Sequence, residues 1–354
     1  MQTYSPQTSR RDSKLWGFCL IGLYCLIAIS PVLAAVISTD PLGEPLLVRI
    51  ALFLAMTGFS LLCLQVVLAG RFKNLDRPFG LDVVMQFHKK MAITAVIMLA
   101  LHPVLLAAGH GSWSLFSFQT SWQVNLGKAL LAFLVLAVLF ALYFYKFGVD
   151  YNTWRFLHKG MIFAVILGFL HGLVIGPHIG QSAFVRYYWY AMFAGAAGIF
   201  SFRNFVVPFI RSRFTVSDVQ QQTHDTYTLT FKPEDNKPVF RNPGQFMFLK
   251  LIRPGRSSEM HPFTISASPL DIDFLQATIK QSGNFTDTID QTKTGDTGKI
   301  EAPFGRFSFV YDDPEKILFI AGGIGITPVM SMICVTVKIK GRWSCYMETR
   351  RRKI

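Results

Sequence analysis

The hydrophobic pattern divides the chain into two parts of different texture. The first part contains six apolar runs, each close to the roughly 20 residues that a helix needs to cross the hydrocarbon core of a bilayer. The predicted transmembrane helices cover residues 15–37, 46–69, 82–107, 126–145, 154–175 and 187–207. The pattern therefore predicts a six-helix transmembrane bundle.

After about Arg213 the apolar residues occur in short alternating segments separated by glycine and proline turns. These segments cover residues 226–231, 246–251, 274–279 and 306–310. Short strands with such turns predict an antiparallel β-barrel or sandwich. A continuous apolar strand at 316–321 then runs into a glycine-rich turn and a helix from about Pro328, which is the opening of an α/β nucleotide-binding unit. The predicted fold is a multi-domain membrane protein with these three parts.

Four predicted regions follow from this division. Residues 1–14 are predicted as an N-terminal tail, 15–207 as the transmembrane domain, 211–312 as the β-barrel domain and 316–354 as the nucleotide-binding part. The run at 15–37 could also be a signal peptide. Its length favours a retained span, and its loss would leave the orientation of the later spans unchanged.

Basic residues indicate how the helices are oriented. Arginine and lysine cluster at the N-terminus, near residues 71–77, 146–159 and 203–213, all on one side of the predicted bundle. By the positive-inside rule, both ends of the chain are cytoplasmic, and the protein is predicted to be an integral protein of the inner or plasma membrane. Much of the net charge of +14 therefore reports orientation in a lipid bilayer.

Composition excludes several classes of function. The chain has 354 residues, of which 51% are hydrophobic and only 16% are charged, and this argues against nucleic-acid binding through a solvated basic surface. The five cysteines form no CxxC pair, so neither a disulfide scaffold nor a zinc site is predicted. No obligatory protein partner is evident.

Four histidines lie inside the third and fifth predicted spans, where polar side chains are costly. His88 and His102 are fourteen residues apart, and His158 and His171 are thirteen apart. These spacings correspond to rises of about 21 and 19.5 Å along a helix. Because the two spans run in the same direction, the histidines form two stacked pairs, His88 with His158 and His102 with His171. Facing imidazoles at two depths suit the axial ligation of two haem irons, with zinc as the rival metal.

The angular positions of these histidines agree less well than their depths. A helix turns by about 100° per residue, so His102 lies within about 40° of the face that carries His88. By the same geometry, the side chains of His158 and His171 are about 140° apart. The fifth span is therefore expected to be tightened or bent, near Gly168. His110 and His178 fall in loops, where a solvated histidine is favoured over a role in substrate or proton delivery.

The second part of the chain contains three candidate cofactor-binding segments. Residues 261–266, with a proline, an aromatic ring and hydroxyl groups on a strand, can line a flat ring system. Backbone amides and a hydroxyl at 283–286, and amides at 302–305, could bind phosphate or form ordinary turns. The glycine turn at 322–328 precedes a helix whose N-terminus suits a pyrophosphate, although such a turn also occurs without a ligand.

Taken together, these motifs resemble the family of ferric reductases and NADPH oxidases. The resemblance extends from the second span to about Met332. It depends on the histidine spacings, on His261–Ser266 as the HPFTxS flavin motif, and on Gly322–Pro328 as the GxGxTP nucleotide motif. The order of these three features in one chain is far more specific than any one of them.

The resemblance implies a function and a set of site residues. NAD(P)H would reduce FAD, and electrons would pass through two b-type haems to ferric iron, as a chelate, or molecular oxygen on the outer side. The haem ligands would be His88, His102, His158 and His171. The FAD-binding residues would be His261, Pro262, Phe263, Thr264, Ser266, Gly283, Thr286 and Gly305. The NAD(P)H-binding residues would be Gly322, Gly323, Gly325, Thr327 and Pro328.

The C-terminal sequence departs from the family pattern. Only 38 residues follow Lys316, whereas a nucleotide-binding domain normally needs about 100. We therefore expect a C-terminally truncated nucleotide domain with weak or absent NAD(P)H binding. This expectation leaves two alternatives to a complete oxidoreductase. One is a haem and flavin membrane subunit reduced by a separate partner, and the other is an inactive truncated product.

Overall fold

The computed structural model describes residues 10–39, 43–283, 285–312 and 316–340. These residues form two compact units, a helical unit over Leu15–Phe209 and a sheet unit that begins at Ile210. Each unit has its own hydrophobic core. The predicted division between an apolar helical part and a strand-rich part is therefore confirmed.

The helical unit contains ten α-helices, most of them long and apolar. They are α1 (Arg10–Ser38), α2 (Leu46–Leu68), α3 (Lys73–Phe79), α4 (Leu81–Gly109), α5 (Trp122–Tyr143), α6 (Tyr151–Lys159), α7 (Ile162–Ile175), α8 (Pro177–Gln181), α9 (Ala183–Ser201) and α10 (Val207–Ile210). A π-helical turn over Phe202–Val206 joins α9 to α10.

Six helical segments are long and apolar enough to cross a membrane, as the hydropathy pattern predicts. They are Lys14–Ser38, Leu46–Leu68, Leu81–Gly109, Trp122–Phe147, Tyr151–Ile175 and Ala183–Ile210. The second of these segments, α2, has the highest buried share, and it packs against α4, α7 and α9. Large apolar side chains elsewhere on the helices remain exposed, as expected where a surface faces lipid.

The sheet unit is built on seven antiparallel strands. They are β1 (Ser212–Thr223), β2 (Thr226–Pro233), β3 (Phe246–Arg253), β4 (Arg256–Ser257), β5 (His261–Thr264), β6 (Leu275–Lys280) and β7 (Thr297–Phe304). The hydrogen-bonded order is β4-β3-β7-β1-β2-β6, with β5 also paired to β3. The described strands therefore form an open sheet, and the predicted barrel is not closed by hydrogen bonds.

Two predicted strands do not form. Residues 306–310 leave the sheet because Gly305, at φ +93°, turns the chain away from the end of β7. Residues 316–321 pair with no strand among the described residues, and Leu318 and Ile320 are 85% and 88% exposed. A strand of this apolar type needs neighbouring strands and covering helices to bury both faces. Of the predicted α/β unit, the structure shows the helix, α11 (Ile326–Lys340).

Helix α11 packs on the sheet unit through one buried face. Val329, Met332 and Val335 are almost fully buried on it. The hydroxyl of Ser331 donates a 3.2 Å hydrogen bond to the carbonyl of Ala267, three residues beyond β5. The glycine turn before α11 is therefore held near β5.

We expect Phe231→Ala to destabilise the sheet unit strongly. Phe231 is fully buried in the sheet core, and its ring lies close to Gly298 of β7, where a Cβ atom would be 3.2 Å from the ring. Removing a buried aromatic ring costs about 3–5 kcal/mol of unfolding free energy. Hydrogen exchange of the β2 and β6 peptides in the intact protein measures this loss.

Phe240→Ala is the matched control, because the Phe240 side chain is 53% exposed. This variant is expected to keep the exchange protection of both strands. Equal protection in the two variants would contradict the assignment of Phe231 to the core.

Candidate functional site

His88 and His158 face each other within the helical unit. Their ring centres are 6.1 Å apart and the ring planes are inclined at 72°. An imidazole nitrogen binds a metal at about 2.0–2.1 Å, so two imidazoles on opposite sides of one ion have ring centres roughly 6 Å apart. The indole of Trp154, one turn before His158, stacks on that ring at 5.1 Å and fixes one of its faces.

His102 and His171 line one cavity further along the same helices. The cavity has a volume of about 1080 Å³, and its other lining residues come mainly from α2, α4, α5 and α7. Nδ1 of His102 lies 2.9 Å from the carbonyl oxygen of Ala51, and Nδ1 of His171 lies 3.3 Å from that of Gln123. Both histidines that the sequence places at this depth therefore border the same space.

The two carbonyl contacts determine the tautomer of these rings. A carbonyl oxygen only accepts hydrogen bonds, so Nδ1 carries the proton in both His102 and His171. Nε2 then keeps its lone pair, which is the state in which histidine binds a metal. The pair is thus prepared to provide two axial nitrogen ligands.

Helix α2 provides carbonyl groups at the depths of both α4 histidines. Ala51 and Gln65 are fourteen residues apart on α2, as His88 and His102 are on α4. The Gln65 carbonyl interacts electrostatically with His88. Nδ1 of His88 is nevertheless buried without a hydrogen bond to any described residue. The half-buried, incompletely paired imidazoles fit the donor set of a bis-histidine haem.

The predicted tightening of the fifth span occurs at Gly160 rather than at Gly168. Helix α6 ends at Lys159 and α7 begins at Ile162, and four i→i−3 hydrogen bonds, donated by residues 160, 161, 163 and 164, lie within residues 157–164. Four steps at about 120° instead of 100° add roughly 80° of turn, which leaves about 60° between His158 and His171. The irregular turn therefore lets both histidines face inward.

Gly127 on α5 leaves space for the imidazole of His171. A Cβ atom at Gly127 would lie 2.4 Å from Cε1 of His171 and 3.0 Å from its Nε2. Such distances are far below van der Waals contact, so any larger residue would displace the ring. Sequence reasoning missed this role because nothing in the chain pairs residues 127 and 171.

His178 differs from the solvated loop histidine that the sequence favoured. Its side chain is only 4% exposed on α8, and it lines the same cavity as His102 and His171. Burial lowers the pKa of His178, so the ring is neutral near pH 7. Residues 176–182 lie over the ends of the helices, and this placement buries the ring. No pattern in the sequence predicts it. His110 also lines the cavity but is exposed, as expected.

The sheet unit contains a second, smaller pocket of about 290 Å³. It is lined by Gly244, Phe246, Pro262, Phe263, Thr264, Phe307 and Pro328. Strand β5 places Pro262, Phe263 and Thr264 there by pairing with β3. The pocket therefore brings residues of the predicted flavin motif together with Pro328 of the predicted nucleotide motif.

His261 lies beside this pocket rather than in its lining. Its ring stacks on that of Phe285 at 4.7 Å with an angle of 11°. Ser266 is engaged in the sheet, where its hydroxyl accepts a 3.2 Å hydrogen bond from Thr278 and its amide donates to the Gln276 carbonyl. Both residues support the shape of the flavin motif.

The predicted phosphate-binding groups at 283–286 already have partners within the chain. The amide of Gly283 donates to the carboxylate of Asp287 at 2.9 Å, and the hydroxyl of Thr286 accepts from the amide of Ser282. A carboxylate at the Gly283 amide occupies the place that a phosphate oxygen would take. The turn must reopen there for an anion to bind.

The glycine turn at the start of α11 is exposed. Gly322, Gly323 and Gly325 are all accessible, and Gly323 has the left-handed φ of +54° that favours glycine. Thr327 is buried, and its hydroxyl donates to the Ile324 carbonyl at 3.0 Å. The turn is thus exposed but internally bonded, since the Gly325 amide donates to the Gly322 carbonyl at 3.0 Å and Thr327 stabilises the turn from its buried side.

Gly244 is a further pocket residue, which sequence reasoning treated only as part of an Asn-Pro-Gly turn. It has φ +82°, and a Cβ atom there would lie 2.1 Å from the Phe307 carbonyl oxygen and 2.3 Å from Cε of Met332. Gly305, whose carbonyl accepts from the side-chain amide of Gln245, adjoins the same region at φ +93°. Both glycines bring backbone close to the pocket.

Comparison with known proteins identifies two domains. The family described as "Ferric reductase like transmembrane component" matches residues 54–169, and the family described as "FAD-binding domain" matches residues 211–303. The first match contains His88, His102 and His158 and ends two residues before His171, and the second contains the HPFT strand β5.

Three curated relatives are similar to parts of the chain. The glycine betaine monooxygenase reductase subunit of Pseudomonas aeruginosa is 37% identical over 117 residues, 32% of each chain. The flavohemoprotein of Halalkalibacterium halodurans is 31% identical over 130 residues, 34% of this chain and 31% of the relative. Respiratory burst oxidase homolog protein G of Arabidopsis thaliana is 24% identical over 311 residues, 72% of this chain and 36% of the relative.

The chain spans about a third of the length of each of these relatives. The family matches and the oxidase relative confirm the resemblance that the motifs indicate. Together with six membrane-spanning helices, they make the chain a multi-pass membrane protein. It consists of a ferric reductase-like transmembrane domain followed by an FAD-binding domain, the architecture of the ferric reductase and NADPH oxidase family of oxidoreductases.

Proposed function

We propose that this chain is a transmembrane oxidoreductase that passes electrons from NAD(P)H, through FAD and two b-type haems, to ferric iron or molecular oxygen. The observation that carries the proposal is the placement of four histidines in one helical bundle, with His88 facing His158 and with His102 and His171 bordering one cavity. Bound haem and FAD would supply the one-electron and hydride chemistry. The chain's residues bind, orient and insulate those groups.

Each histidine pair would hold one haem by axial ligation. His88 and His158 have the ring separation that a single metal ion between them requires. His102 and His171 present Nε2 because backbone carbonyls hold their Nδ1 protons. The mostly apolar lining around the His102–His171 pair would insulate the path between the two depths.

The pocket of the sheet unit would hold the flavin ring. Pro262, Phe263 and Thr264 provide one wall of it, and Gly244 allows the backbone to approach closely. The exposed glycine turn at Gly322–Gly325 would face the pyrophosphate of NAD(P)H. The basic ends of the helices favour an orientation with the sheet unit in the cytoplasm and the acceptor on the opposite side.

A second candidate function is a haem and flavin subunit that a separate reductase partner reduces. One observation favours it: residues 316–321 form no strand among the described residues, so the nucleotide turn lacks the sheet that normally supports it. This candidate keeps the histidine pairs and the flavin pocket. It differs only in the source of electrons.

Difference spectroscopy tests the proposal and separates the two candidates. The protein purified from membranes is reduced first with dithionite, then separately with NADH or NADPH in the presence of FAD. Reduced b-type haem bands under all three conditions are expected for the complete oxidoreductase. Bands with dithionite alone would favour the subunit, and no haem bands at all would refute both candidates.

We expect His102→Ala to remove one of two haems, because each pair binds independently. The reduced haem absorbance should fall by about half while the His88–His158 haem remains. His110→Ala is the control, since His110 is exposed and belongs to neither pair. Unchanged haem content in His102→Ala would contradict the pairing.

We expect Gly127→Ala to disturb the haem of the His102–His171 pair. The new methyl group would overlap the His171 ring, so the axial nitrogen must move. A shift of one haem's midpoint potential, or loss of that haem, is the predicted result of a redox titration. Gly195→Ala on α9 meets nothing within 4 Å and should behave like the wild type.

We expect Gly244→Ala to reduce FAD binding by about tenfold or more. Left-handed backbone costs a non-glycine residue about 1–2 kcal/mol, and the collision with Phe307 would further distort the pocket. FAD retained after gel filtration measures the effect. Gly255→Ala is a matched control because it shares the strain of φ +70° but has open space. Equal FAD loss in both variants would show that the collision is irrelevant.

A further inference from the structure

His178 is a third buried imidazole at the large cavity, and the two proposed haem pairs do not use it. It lies on α8, outside the membrane-spanning segments, with its side chain 4% exposed. Its ring stacks against Phe53 at 6.4 Å with an angle of 29°. The ring is thus held in one place by packing.

Thr39 determines which nitrogen of His178 carries the proton. The Thr39 hydroxyl donates its only proton to the Ala35 carbonyl at 2.7 Å. Its oxygen lies 3.0 Å from Nδ1 of His178, so it can only accept there. Nδ1 therefore carries the proton, and Nε2 of the neutral ring is a hydrogen-bond acceptor.

Nε2 of His178 is buried and has no hydrogen-bond partner among the described residues. The other polar groups at this end of the cavity differ in this respect. Lys128 donates to the Ser117 carbonyl, the Thr120 hydroxyl and the Asn125 side chain, and the Asn125 amide is bonded as well. Leaving a buried acceptor unpaired is unfavourable, so a ligand that donates to Nε2 is favoured over one that cannot.

The remaining lining of the cavity indicates the body of such a ligand. Aromatic and aliphatic side chains form most of the wall, including Phe116, Phe118 and Leu115 near the loops. Glu44 and Lys128 also line the cavity, and Glu44 interacts electrostatically with His178. A mostly apolar wall with a few placed polar groups is typical of sites for small, mostly apolar molecules. A neutral ligand loses less hydration in such a site than a charged one.

We propose that His178 forms a subsite for a neutral ligand that carries an O–H or N–H group on an apolar body, such as a phenol or hydroquinone. The ligand donates to Nε2 of His178 and places its ring against the apolar wall. This subsite goes beyond the proposed electron transfer and does not require it. Binding at the subsite and retention of haem are separate measurements.

Phenol and anisole are the probes, because they have similar shapes and only phenol donates a hydrogen bond. Binding is measured by equilibrium dialysis with the purified protein in nanodiscs, and partition into empty nanodiscs is subtracted. The wild type is expected to bind phenol about tenfold or more tightly than anisole. Equal binding of the two probes, or no binding above empty nanodiscs, would overturn the proposal.

Two variants test the contacts separately. His178→Phe keeps an aromatic ring beside Phe53 but removes the acceptor, so the preference for phenol should disappear. Thr39→Val frees the proton to move to Nε2 and should also reduce the preference, with the imidazole still present. His110→Phe is the control, because it changes the exposed histidine at the same cavity. This variant should keep the preference for phenol over anisole.

Haem content, from the dithionite-reduced spectrum, shows whether each variant is folded. If His178→Phe fails to fold, the comparison between Thr39→Val and the wild type still decides the outcome. Persistence of the phenol preference in a folded His178→Phe or Thr39→Val protein would refute the role of Nε2. Loss of haem in the wild type would instead count against the proposed function.

Discussion

An unpaired imidazole nitrogen is costly inside an apolar bundle, and this cost organises the helical unit. His102 and His171 each pair one nitrogen with a backbone carbonyl, that of Ala51 or of Gln123. Those contacts link α4 to α2 and α7 to α5. They leave Nε2 of each ring unprotonated, so in the proposed function a metal group at that depth would complete the site.

The same requirement explains irregular features of the bundle. The tightened turn at Gly160 rotates His171 toward the face that His158 already occupies, and Gly127 leaves space for its ring. The sheet unit has a different constraint, because its backbone must come close to the flat ring system that the pocket would hold. There Gly244 and Pro262 border one pocket because β3 pairs with β5 and α11 covers the sheet nearby.

Hydrophobic periodicity was sufficient to predict the six helices, because membrane spans impose long, regular patterns. The histidine spacing places His88 opposite His158, as the structure does, and the role of the four histidines as haem ligands stays a prediction. These patterns fail where contacts with distant parts of the chain determine whether a strand forms or a side chain is buried. Residues 316–321 read as a strand, but no described strand pairs with them. Strand β1 was missed because its second half is polar, and only Phe214 and Val216 on it are buried. His178 was placed in solvent because its burial depends on contacts with α1 and α2.

The central claim is that the four histidines act as two pairs, each holding one haem. The most direct test is the ratio of haem to protein in the wild type, from the pyridine haemochrome spectrum and quantitative amino-acid analysis of the same sample. We predict two b-type haems per chain. A ratio of one, or a protein without haem that still binds FAD, would contradict the account.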